Sequence, residues 1–89
     1  MARYYFDVQN GKPPVRDDEG TEFGSLDEAV QAAARSAAEI GSSRLAKGDF
    51  SDVVIEVRDD QNQLVATVTA SMRIKRHGSF HQAPHSWSA

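Results

Sequence analysis

Ser25-Leu26-Asp27-Glu28-Ala29-Val30-Gln31-Ala32-Ala33-Ala34-Arg35-Ser36-Ala37-Ala38-Glu39-Ile40 decides the fold, because it is the one strongly helical stretch in an 89-residue chain. Ser25 is a helix N-cap. Its hydroxyl can accept from the amide of Glu28, while the Glu28 carboxylate reaches back to the amide of Ser25, and Asp27 and Glu28 sit where the helix dipole favours negative charge. Leu26, Ala29, Val30, Ala33, Ala37 and Ile40 recur at spacings of three and four, one apolar stripe on an amphipathic helix. The stripe is mostly alanine, so the helix can lie close to what it covers. Gly41-Ser42-Ser43 interrupts the pattern, but Leu45 keeps its phase. The helix is therefore expected to reach about Lys47 with Gly48 beyond its end, a break at Gly41 being the alternative.

On either side of this helix the period changes from 3.6 to two. Before it, Tyr4, Phe6 and Val8 alternate with Tyr5 and Asp7, which predicts a half-buried strand over residues 3–9. Asn10-Gly11 is a turn signal, Pro13 and Pro14 lengthen the connection, and a short edge strand is expected around Val15-Arg16-Asp17. After the helix, Val53, Ile55 and Val57 alternate with Val54, Glu56 and Arg58. Beyond a polar turn at residues 59–63, Leu64, Ala66, Val68, Ala70, Met72 and Ile74 alternate with Val65, Thr67, Thr69, Ser71, Arg73 and Lys75. Two alternating runs joined by a short polar turn predict a hairpin, and the length of the second run suggests an interior strand.

The order strand, strand, helix, strand, strand predicts a two-layer α+β domain, ββαββ, with a four-stranded, mainly antiparallel sheet and one helix on one face. Residues 1–76 are expected to form this single domain, and 77–89 a flexible, histidine-containing tail.

Composition narrows the function classes. With no cysteine in the chain, disulfides, thiolate catalysis and thiolate-bound zinc are excluded. No apolar run has the roughly 20 residues of a membrane helix, and the start lacks a secretory pattern, so a cytoplasmic location is expected. Ten basic residues against thirteen acidic ones, a net charge of −3, do not suit binding to a phosphate backbone. The local basic cluster at Arg73, Lys75 and Arg76 supports the alternative of a nucleic-acid-linked regulator active only as an oligomer or complex.

Three motifs resemble a family of short bacterial proteins classed only as a domain of unknown function. They are Arg3-Tyr4-Tyr5-Phe6-Asp7, the turn Arg16-Asp17-Asp18-Glu19-Gly20-Thr21-Glu22, and Val57-Arg58-Asp59 entering the last hairpin. The Leu26-Asp27-Glu28-Ala29 helix start is similar as well, so the likeness spans roughly residues 2–75, its specificity lying in the order of the motifs. The resemblance implies a fold but no reaction, cofactor or catalytic residue.

The candidate sites follow from the remaining residues. Asp17, Asp18, Glu19 and Glu22 form the densest acidic cluster, but it lacks the alternating spacing and distal glutamate of a calcium loop, and a solvated turn is the simpler reading. His77, His81 and His85 are spaced by four, as nitrogen ligands on a helix would be, yet Gly78 and Pro84 oppose a helix there. Phe80 and Trp87 lack an obvious partner. No histidine stands near a serine in the folded part and no glycine loop precedes the helix to cradle phosphate, so no enzyme, metal, cofactor or small-molecule substrate is expected. The sheet face away from the helix, with Tyr5, Val54, Val65, Thr67 and Thr69, is the candidate interaction face, low in charge at its centre. The expected function is that of a non-catalytic protein-binding or regulatory module, acting through a homodimer or a partner protein by that face or by an exposed strand edge.

Overall fold

In the computed structural model, which describes residues 1–11 and 13–77, the elements are β1 (Ala2–Val8), β2 (Thr21–Phe23), α1 (Leu26–Ala46), β3 (Val53–Arg58) and β4 (Leu64–Ala70). The tail readings at Phe80, His81, His85 and Trp87 lie outside the described residues. All strand pairs are antiparallel, in the order β2-β1-β3-β4, with one helix beside the sheet. The expected ββαββ architecture is therefore present, with two corrections.

The second strand is Thr21–Phe23, not residues 15–17. Val15 makes only an isolated bridge with Val8, through Val8 N to Val15 O at 2.8 Å and the reverse bond at 3.0 Å. The ladder stops there because the next β1 amide on that side, that of Phe6, donates to the Asp17 side chain at 3.0 Å. A carboxylate thus takes the place of a strand carbonyl. The second correction concerns β4, which is an edge strand; β1 and β3 are the interior pair.

Helix α1 begins as its cap residues dictate. The Glu28 amide donates to Ser25 Oγ at 3.1 Å, but the Glu28 carboxylate accepts from Gly24 N at 2.9 Å rather than from Ser25. At the other end Gly48 takes φ +81°, Gly48 N donates to Leu45 O, and Asp49 N donates to Arg44 O, which together satisfy the last carbonyls. The helix runs unbroken through Gly41. The row Ala29, Ala33, Ala37, Gly41 is its buried line, while Leu26 lies at the margin, exposed. Gly41 extends the row because Met72 crosses there: a Cβ on Gly41 would stand 3.2 Å from Met72 Cε and 3.3 Å from its sulfur.

Against this line pack Val53, Ile55 and Val57, fully or almost fully buried, with Tyr4, Phe6, Val8, Ala66, Val68 and Ala70 around them. Phe23 from β2 closes one end, stacked on Phe6 at 5.7 Å and tilted against Tyr4 at 6.2 Å. No helix among the described residues is long and apolar enough to cross a membrane.

Candidate functional site: the outer sheet face and the β4 edge

Strand register places Arg3, Tyr5 and Asp7 of β1, Val54, Glu56 and Arg58 of β3, and Thr67 and Thr69 of β4 on the face away from the helix, since paired residues share a face. Of the five residues expected there, Tyr5, Val54, Thr67 and Thr69 are in place. Val65 stands beside the irregularity between Val57 and Arg58 and is half-buried against the core. The centre of the face differs from expectation: it carries charge.

Its middle is a buried ion pair. Arg58 Nε donates to Asp7 Oδ2 at 2.6 Å and Arg58 Nη2 to Asp7 Oδ1 at 3.0 Å, a two-point fit that only a guanidinium provides. Asp7 is 5% exposed although it lies on the outer face. What covers it is the segment after Val15, which folds back over β1. Asp17 N donates to Asp7 Oδ1 at 2.9 Å, and Arg58 Nη2 donates to Asp17 O at 3.0 Å. Asp17 in turn accepts from Phe6 N, Glu19 N and Gly20 N. Arg58 also lies 5.0 Å over the Tyr5 ring and donates through Nη1 to Asn62 Oδ1 at 2.8 Å. Gly20 closes the strap with φ +72°, and a Cβ there would meet Tyr5 and Arg3 at 2.8 and 2.9 Å, so the close approach requires glycine.

The electrostatics agree with this geometry. The Arg58 hydrogen bond holds the Asp7 carboxyl below its usual pKa despite the opposing effect of burial, with help from the Asp17 amide. For Asp17 burial is the largest influence and acts upward, but the Phe6, Gly20 and Glu19 amides together outweigh it and its pKa is also lowered. The hydrogen bond to Asp7 raises Arg58 in turn. All three groups are ionised at neutral pH and committed to one another. Beside them opens a cleft of about 260 Å³, rimmed by Arg16, Asp18, Asp59 and Asp60.

The acidic cluster of residues 17–22 is thereby divided among separate tasks. Asp17 fastens the strap to β1, and Glu22 pairs with Arg3 at 3.4 Å. Among the described residues no three carboxylates or imidazoles converge as a metal site would require. His77 is exposed, as are Arg73, Lys75 and Arg76.

Sequence reasoning missed the backbone of β4. Val54 directs its polar groups toward β1, since Gln9 N donates to Val54 O at 2.9 Å and Val54 N donates to Asn10 Oδ1 at 3.2 Å. Alternation then turns Val53, Ile55 and Val57 toward β4, where their partners are Ala70, Val68 and Ala66. The N–H and C=O groups of Thr67 and Thr69 point the other way, out of the sheet. No strand lies beyond them among the described residues. The signal available in sequence was the composition of Leu64–Ala70, seven residues with neither charge nor proline.

No curated protein and no solved structure matches this chain. Residues 3–71 match the family described as "Domain of unknown function (DUF6894)", a span that includes β1 from Arg3 on, the Asp17 strap, the helix and the Arg58 pair. The chain belongs to that family.

Proposed function

We propose that this domain is a non-catalytic binding or regulatory module of the cytoplasm, acting by contact with another polypeptide, either a second copy of itself or a partner protein. One observation carries the reading: β4 leaves the Thr67 and Thr69 backbone groups facing outward on an uncharged edge. Such edges template pairing with other chains, and proteins that avoid association usually blunt them with lysine, proline or a covering loop. The other end of the sheet is blunted in this way. There β2 is three residues long, carries the Arg3–Glu22 pair, and the strap occupies the adjoining edge of β1. Asp7, Arg58 and Arg3 of the outer face are engaged in holding the strap, which favours a structural role for them over a reactive one.

Sedimentation velocity from low micromolar to near millimolar concentration tests the reading. A weight-average mass rising above the 9.8 kDa chain mass, or a defined protein held by the immobilised domain, is the expected result. A 9.8 kDa species throughout, with no protein retained, contradicts it.

A further inference from the structure

We propose that β4 pairs antiparallel with β4 of a second copy of this chain, about a two-fold axis at Thr67, joining two sheets into one continuous sheet with both helices on the same side. This rests on the reading of the domain as a polypeptide-binding module and names its occupant.

Backbone geometry makes the pairing self-complementary. Thr67 and Thr69 turn their polar groups outward at alternate positions, while Val65 stands at the irregularity beside Arg58 and is half-buried against the core. In an antiparallel pair centred on Thr67, each Thr67 meets its own copy and Val65 meets Thr69. The central Thr67 pair can exchange two backbone hydrogen bonds. Thr67 and Thr69 are exposed and β-branched, suiting them to cross-strand contacts on the outer face.

Charge selects the direction. At the start of β4 stands the turn carrying Asp59 and Asp60; past its end come Arg73, Lys75 and Arg76, all exposed except Asp59, which is half-buried. Asp60 has no ion pair among the described residues. An antiparallel arrangement sets the acidic turn of each copy beside the basic segment of the other, twice over. A parallel arrangement sets acid beside acid and base beside base, with loss of the same attraction. The strand itself contributes no charge to oppose either.

The absence of cysteine permits a direct test. In the Thr67→Cys variant the two new thiols face each other across the axis, with Cα atoms about 5.5 Å apart, within the roughly 4.4–6.8 Å span of a disulfide. Mild oxidation is expected to convert most of the protein to a covalent dimer. In Thr69→Cys the two thiols lie four residues apart along the strands, roughly 13 Å, and little dimer is expected. A Thr67→Lys variant sets like charges opposite each other and is expected to weaken association several-fold while the fold persists. If the wild-type chain associates but Thr67→Cys does not cross-link, or Thr69→Cys cross-links faster, the pairing is wrong and the binding-module reading stands. If the wild-type chain never exceeds 9.8 kDa, the self-pairing fails outright.

Discussion

Arg58→Ala is expected to lose about 3–5 kcal/mol of folding stability, the usual cost of removing one partner of a buried ion pair. Asp7 is 5% exposed, so its carboxylate would remain out of water with only the Asp17 amide as donor. The same substitution removes the donor to Asp17 O, so the strap loses a further fastening, and it removes the cation over Tyr5. A domain of this size has roughly 4–13 kcal/mol to lose, so the variant should give up a large share of its stability. Urea unfolding followed by circular dichroism measures the loss. Arg58→Lys should recover only part of it, because an ammonium keeps the charge and gives up the planar fork. A loss below about 1 kcal/mol, typical of exposed pairs, would show that the pair is solvated and the strap loosely held.

Ile55→Ala is the second large effect, at about 2–5 kcal/mol and toward the upper end of that range. The cost of a core deletion depends on how far the surroundings can collapse. Here they have little to collapse with. The helix already approaches through Ala33 and Ala37, both fully buried, and its neighbours on β3 are Val53 and Val57. No long flexible side chain in that cluster can swing into the space left by Ile55. The same urea measurement reads the loss, and a value below about 1 kcal/mol would mean that helix and sheet can slide together.

Both effects show where the sequence was informative. Alternation made Val53, Ile55 and Val57 legible as a buried row, and the cap at Ser25 with the alanine stripe located the helix to within a residue or two. These are local periodicities, and tertiary packing reinforced them. The Asp7–Arg58 pair was not legible, because it joins residues 51 apart and because Asp7 occupies an outward position where water is the default neighbour. Only the strap buries it, and nothing periodic encodes a strap. Strand β2 escaped for a related reason: Thr21-Glu22-Phe23 is shorter than any alternation pattern can register, and its place is set by Phe23 packing on Tyr4 and Phe6. The edge position of β4 depends on strand order, which the length of its apolar run suggested wrongly. Gly41 interrupts the apolar stripe in sequence without ending the helix, and the approach of Met72 gives the reason for a residue without a side chain there.

One helix shields one side of the sheet, and among the described residues no strand lies beyond the rim at β4. Amide hydrogen exchange along β4, followed by NMR as concentration rises, tests this most directly. Ala66, Val68 and Ala70, bonded to β3, should be protected at every concentration. Thr67 and Thr69 should exchange quickly in dilute solution and become protected only as the chain associates. Equal protection of all five amides in the dilute monomer would mean that the chain already covers its own edge, and would contradict the account.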